Sequence, residues 1–234
     1  MYTFSHPATE QTGALTDYRY IGANPNNYVI FNNELWRIIG VFTVEDGNGN
    51  AEQRLKIVRN EKLSTGMSWD SNETNKWDNA SLNTYLNSDY YSNLSPESKN
   101  MIVDTKYYLG GSDTNFGGAE TYYNWERGTT VYSNRDTYWI CKIALMYPSD
   151  IFYIYALGVD DTCYTNVDNC SGSSGKTNGW LYVINNNSHL WLLSPHSESA
   201  DRVFNLTEGF WLYNTYSSIP DGVNLTLICH HKLK

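Results

Sequence analysis

Leu35-Trp36-Arg37-Ile38-Ile39-Gly40-Val41-Phe42-Thr43-Val44, then Glu45-Asp46-Gly47-Asn48-Gly49-Asn50, then Arg54-Leu55-Lys56-Ile57-Val58-Arg59 is the stretch on which the fold turns. A run rich in β-branched and aromatic residues meets an Asn/Gly turn, and a second run alternates charged with apolar side chains. Strand, turn, strand is a hairpin signal. Asp46, Asn48 and Asn50 at every second place imitate a calcium loop. The imitation stops at Ala51, where such a loop needs glycine, and at Ile57, where it needs a bidentate glutamate. Turn chemistry is the expected reading.

Working toward the N-terminus, Tyr28-Val29-Ile30-Phe31 and Tyr18-Arg19-Tyr20-Ile21-Gly22 read as short strands, joined by the turn Ala23-Asn24-Pro25-Asn26-Asn27. Residues 1–17 supply no periodic apolar face and read as a leader or linker, leaving residues 18–234 as one domain. Working toward the C-terminus, Ser81 to Tyr90 sets Leu82, Tyr85 and Leu86 at i, i+3, i+4, one face of a helix. Ser95-Pro96 places a capping serine before a first-turn proline, predicting a second helix that ends near Met101-Ile102. Further strands are expected at Lys106 to Leu109, Ile140 to Met146, Trp180 to Val183, Trp191 to Leu193, Val203 to Leu206, Phe210 to Tyr213 and Val223 to Ile228. Short strands, two helices and long loops at Gly110 to Gly118 and Leu157 to Gly179 argue an α+β domain.

Composition narrows the function classes. Aromatic residues make up 15% of the chain, with 20 Tyr, 8 Trp and 7 Phe, against 18% charged residues. Tyr and Trp join apolar area to a hydrogen-bonding group, so they serve equally in a core and on a sticky surface. A net charge of −9 with no basic stripe argues against a nucleic-acid partner. No run approaches the roughly 18 apolar residues of a membrane span, so direct membrane insertion is not expected. The four cysteines, Cys141, Cys163, Cys170 and Cys229, fit one or two disulfides. Two bonds allow three connectivities; Cys163–Cys170 would staple a loop rich in Asp, Asn, Gly and Ser, and Cys141–Cys229 is one candidate for a second bond. A zinc site is the alternative, but no C-x-x-C is present and His230-His231 lies at the end.

Several segments in order resemble a known family: Tyr20 to Val29, Leu35 to Gly40, Ala144-Leu145-Met146-Tyr147-Pro148-Ser149-Asp150, the Cys163 to Cys170 loop ending in Gly179-Trp180-Leu181-Tyr182, and Trp191-Leu192-Leu193-Ser194-Pro195. The family comprises extracellular domains of Gram-positive gut bacteria, often found behind pilin-like segments. It is similar to the C-type-lectin-like fold of formylglycine-generating enzymes and of the variable proteins of diversity-generating retroelements. The resemblance implies a C-type-lectin-like α+β scaffold at the cell surface, an adhesin or receptor-binding domain whose partner is a host or microbial surface protein or a glycan. It implies a ligand-binding face after the Trp-x-x-Ser-Pro segment, here His196 to Pro220. His196, Ser197, Glu198, Ser199 and Asp201 supply polar groups; Trp211, Tyr213, Asn214, Tyr216 and Ser217 follow on the next strand. Rigid aromatics among small polar residues bind at low entropic cost. By the period-2 rule Trp211 and Tyr213 share one face and Phe210 and Leu212 the other, so only one pair can be core. The family's closing Gly-Val-Arg-Pro is not matched: Gly222-Val223 runs into Asn224-Leu225-Thr226-Leu227.

Catalytic patterns are weak. Ser194, His196 and Asp201 have the residue types of a triad, but Leu-Ser-Pro-His is no nucleophile elbow. Asp160-Asp161 sits in a solvated turn sequence rather than a tuned acid pair. Cys229 has no second cysteine close in sequence, so the reactive pair of the formylglycine-generating enzymes does not carry over. No cofactor is expected, with calcium at Asp160, Asp161 and Asp168 the one candidate. The residues and the resemblance together imply a surface-displayed, non-enzymatic binding domain, with a self-associating pilus or surface-layer subunit as the alternative and an enzyme of the formylglycine-generating kind as a third reading.

Overall fold

The computed structural model describes residues 1–114, 116–155, 179–181, 189–206, 212–221, 223 and 225–229. The anticipated hairpin is its centre. Strand β4 (Glu34–Glu45) and strand β5 (Ala51–Arg59) pair antiparallel from Trp36↔Arg59 to Glu45↔Ala51. Their turn is closed by Asp46, whose Oδ1 accepts from the backbone N–H of Asn48 at 2.8 Å and of Asn50 at 2.9 Å. Those bonds hold the Asp46 carboxyl below its usual range. Gly49 takes φ +84°, which glycine adopts without steric penalty.

Around this ribbon runs an antiparallel sheet in the order β1-β2-β4-β5-β12-β8, with β3 on β4 beside β2. Here β1 is Tyr2–His6, β2 Leu15–Arg19, β3 Tyr28–Phe31, β8 Ile143–Leu145 and β12 Leu225–Cys229. The first 17 residues, expected to form a leader or linker, instead supply β1 and most of β2. Their polar side chains hid this, because His6, Asp17 and Arg19 are buried polar groups paired with one another across the strands. A two-stranded ribbon joins β6 (Thr105–Tyr108) to β7 (Tyr138–Cys141). The single strand expected over Ile140 to Met146 is split at Lys142 between β7 and β8. A three-stranded sheet follows the order β11-β10-β9, with β9 Leu190–Pro195, β10 Arg202–Leu206 and β11 Leu212–Tyr216.

Both expected helices form. Helix α1 (Ser81–Tyr85) continues as a π-helical turn over Leu86–Tyr90, and α2 (Pro96–Met101) is capped by Ser95, whose Oγ accepts from the Ser98 N–H at 3.1 Å. Two more, α3 (Ala119–Glu126) and α4 (Pro148–Phe152), carry too many aromatic and polar residues to show an apolar stripe in sequence. The architecture is mixed α+β, mostly antiparallel.

Two hydrophobic clusters divide the core, and adjacent residues of β5 go to different ones: Ile57 joins Trp36, Leu82 and Leu227, while Val58 joins Ile39, Phe152 and Phe204. Successive strand residues face opposite sides, so the central sheet is covered on both faces. Strand β9 repeats the alternation, with Trp191 and Leu193 in the first cluster and Leu190 and Leu192 in the second.

A buried ionic row crosses the second face. Gly40 is register partner to Arg19 on β2 and to Lys56 on β5. Arg19 and Lys56 converge on Asp150 of α4: Arg19 NH1 lies 3.4 Å from Oδ1, and Lys56 Nζ donates to Oδ2. Asp150 Oδ2 also accepts from the Tyr147 N–H at 3.0 Å, and Arg19 NH2 reaches Asp17 Oδ2 at 2.9 Å. All four charged side chains are almost wholly buried. Removing one partner of such a set leaves uncompensated buried charge, at a cost of about 3–5 kcal/mol. Asp150→Ala is therefore expected to lower unfolding free energy by about that amount in urea titration, and a loss below about 1 kcal/mol would contradict the pairing.

Candidate functional site

The face expected at His196 to Pro220 is built on β10 and β11. Their register pairs Arg202 with Tyr216, Phe204 with Asn214, Asn205 with Tyr213 and Leu206 with Leu212. Leu212 is buried at 2% exposure and Tyr213 stands out at 59%. The alternation therefore resolves with Leu212 as core and Tyr213 as surface. Trp211 and Phe210 lie outside the described residues.

The same alternation separates the rings. Tyr213 and Tyr216 are three apart on one strand, so they point to opposite sides of the sheet. The two tyrosines of the expected face therefore belong to two separate patches. On one side are Tyr213, Thr215 and Asn205; Asn205 Nδ2 donates to Asp221 Oδ2 at 2.9 Å. On the other side Arg202, Asn214 and Tyr216 form one unit. Arg202 NH1 donates to Asn214 Oδ1 at 3.0 Å, NH2 donates to the Tyr216 hydroxyl at 3.3 Å, and the guanidinium lies 4.8 Å from the Tyr216 ring centroid. His196 stacks near Phe204 on this side, ring centroids 6.2 Å apart. Partial burial, then Arg202, hold the His196 imidazole below its usual pKa, so it is neutral at pH 7. Its Nδ1 accepts from the Glu198 N–H at 3.2 Å, which leaves the proton on Nε2.

The loop between β9 and β10 is fastened from below. Asn75, buried at 3% exposure, uses Nδ2 to reach the carbonyls of His196, Ser199 and Arg202 at 3.0, 2.7 and 3.2 Å. Arg135 Nε donates to Asn75 Oδ1 at 2.8 Å, and its NH2 reaches the Ala200 carbonyl at 3.0 Å. Within the loop Ser199 Oγ donates to Asp201 Oδ1 at 2.5 Å. The Ser197 N–H bonds the Ser112 carbonyl at 3.0 Å. Ser217 is fully buried, its N–H on the Asp201 carbonyl at 2.8 Å, so it supports the face rather than lining it. Sequence reasoning missed Asn75 and Arg135; an isolated Asn and Arg, far along the chain from the loop they hold, leave no local pattern.

Ser194 is buried at 4% exposure, and the Ser194, His196, Asp201 set makes no mutual hydrogen bonds among the described residues. Cys141 and Cys229 are free buried thiols rather than the disulfide pair anticipated. Burial pushes both up to about 12, so neither is a thiolate at neutral pH. Cys163 and Cys170, and the calcium candidates Asp160, Asp161 and Asp168, lie outside the described residues.

A second polar cluster, unforeseen from sequence, lies inside. Glu126 of α3 accepts from the Ser149 N–H at 2.8 Å and the Ser149 Oγ at 2.5 Å, and sits 3.3 Å from Arg127 NH1. Burial pushes its carboxyl up to about 7, against the pull of Arg127 and Ser149.

The division between support and surface is measurable. Leu212→Ala removes a buried side chain and is expected to cost about 2–4 kcal/mol in chemical denaturation. Tyr213→Ala and Tyr216→Ala are each expected to stay within about 1 kcal/mol of the parent, and a loss at Tyr216 matching that at Leu212 would place this ring in the core.

Residues 52–137, from within β5 to just before β7, match a family model described as Domain of unknown function (DUF6273). The matched span includes Lys56, Asn75, Glu126, Arg127 and Arg135. No curated protein and no solved structure matches the chain.

Proposed function

We propose that this chain is a non-enzymatic, surface-displayed binding domain of C-type-lectin-like architecture, which engages a glycan or a surface protein through the Arg202, Asn214, Tyr216 and His196 patch. The observation that carries the reading is the state of Arg202. Its guanidinium, on β10, is aligned by Asn214 and Tyr216 of the neighbouring β11 before any ligand arrives, and the Tyr216 ring is 48% exposed. Ordering long side chains is a large part of the cost of association, and here that cost is already met within the fold. A planar guanidinium beside a phenol ring offers bidentate donation and a stacking surface together. The small strands, short helices and separate three-stranded sheet are compatible with the lectin-like arrangement. The inert thiols speak against a cysteine-based reaction at Cys141 or Cys229.

A self-associating subunit is the second reading, and one feature favours it. Tyr28 and Ile30 alternate onto one side of β3 with Leu35 opposite Ile30, and all three are exposed, Ile30 at 66%. An apolar ridge on a β-strand flanking a sheet invites another copy.

Binding to glycan and host-protein arrays tests the first reading. Tyr216→Ala and Arg202→Ala are expected to reduce the signal at least tenfold while Tyr213→Ala retains it. Equal retention by all three variants would reject the patch. Light scattering over a concentration series addresses the second reading: a monomer throughout is expected, and growth that Ile30→Lys abolishes would favour the subunit.

A further inference from the structure

Lys56 of β5 and Asp150 of α4 are 94 residues apart in sequence, and the fold puts Nζ in direct contact with Oδ2. Both side chains are buried. Their surroundings are aromatic: the ammonium lies 4.6 Å from the Tyr147 ring centroid and 5.6 Å from that of Phe42. Replacing a buried ion pair by apolar residues is often neutral or stabilising, so charge pairing alone is a weak reason for this one.

An amine attacks a carboxyl carbon when the two touch, shed their charges and the carbon is activated. Contact is met, because Cγ is one covalent bond beyond Oδ2 and reacting atoms need a separation of about 3–3.5 Å. Burial penalises ammonium and carboxylate alike and favours the neutral amine and carboxylic acid. It lowers the Lys56 ammonium pKa, with Asp150 pulling the other way and Arg19 and Arg127 adding to the fall. Glu126, buried and bonded to the adjacent Ser149, adds a like charge near Asp150, and two ionised carboxylates there repel. Arg19 NH1, 3.4 Å from Oδ1, stabilises negative charge on that oxygen as the carbon becomes tetrahedral. The Tyr147 N–H, 3.0 Å from Oδ2, does the same for the other oxygen. A 30 Å³ cavity lined in part by Lys56, Phe42 and Tyr147 has room for one released water, at roughly 10–15 Å³.

We propose that Lys56 and Asp150 condense into an intramolecular amide, a covalent tie between β5 and α4. The ion pair is the reactant. A proton passes from the ammonium to the carboxylate, and the freed amine attacks Cγ. The Nζ–Cγ bond forms, the Cγ–Oδ2 bond breaks, and Oδ2 leaves as water with two of the three ammonium protons. Oδ1 remains as the amide oxygen, facing Arg19. Charge balances, and no oxidant is consumed. The bond does not depend on what the Arg202 patch binds.

The intact mass of the reduced, denatured full chain tests this. The chain is expected to weigh about 18 Da, one water, less than its sequence requires. Lys56→Arg keeps the cation without the reactive amine and is expected to show the full sequence mass. Trypsin does not cut after an acylated lysine, so a branched peptide joining residues 55–59 to the segment with Asp150 is expected from the parent. That readout stands even where the variant does not fold. The proposal fails if the parent has its full sequence mass or if trypsin cuts completely after Lys56. It fails equally if Lys56→Arg keeps the deficit, which would mark dehydration elsewhere, as at Asp46-Gly47.

Discussion

Asp150 is where the two halves of the sheet and the helix above it are tied. Arg19 comes from β2, Lys56 from β5, and the carboxylate from α4, with Gly40 register partner to both cations. Gly40 tolerates nothing larger, since a Cβ there would stand 2.2 Å from the Tyr18 carbonyl oxygen. Burial lowers the Lys56 ammonium pKa while Asp150 opposes the change. A buried ion set is weak evidence for net stability, but removing one partner leaves an uncompensated buried charge. Here the set joins β2, β5 and α4 in one buried network.

From that frame the outer sheet follows. The Leu193 N–H bonds the Met146 carbonyl at 2.9 Å, just before α4, and Trp69 Nε1 donates to the Leu192 carbonyl at 3.1 Å. Strand β9 is thus held on two sides, β10 pairs with β9, and β11 lies at the end of the order. Burial falls across the three strands: β9 is buried throughout, whereas β11 keeps only Leu212 buried and exposes Tyr213 and Tyr216. The position that exposes Tyr216 is the position that leaves Arg202 near solvent. Binding chemistry at the rim and apolar packing at the root belong to one gradient.

The central hairpin was legible because its signals are local: an Asn/Gly turn between two runs, with Asp46 doing the hydrogen bonding that such turns use. Ser95-Pro96 was legible for the same reason. Residues 1–17 were not, because β1 and β2 bury His6, Asp17 and Arg19, and no hydrophobic period registers a polar core whose members satisfy one another from different strands. Helix α3 was missed likewise, since its buried face includes Glu126. At the site, the exposure of Tyr213 over Leu212 was one of two outcomes that alternation allowed. The separation of Tyr213 from Tyr216 follows from the same rule applied one step further. Asn75 and Arg135 could not be found this way, because their roles exist only once distant segments meet.

The account's central claim is that Tyr213 and Tyr216 stand in water on a rigid sheet while neighbouring aromatics are sealed. Tyrosine-selective acylation of the native chain, read residue by residue by mass spectrometry, measures this directly. Tyr213 and Tyr216 are expected to react early, with Tyr107, Tyr122, Tyr123 and Tyr147 inert until the protein unfolds. Protection of Tyr216 in the native, unliganded protein, at the level of Tyr122, would contradict the exposed patch and with it the binding role.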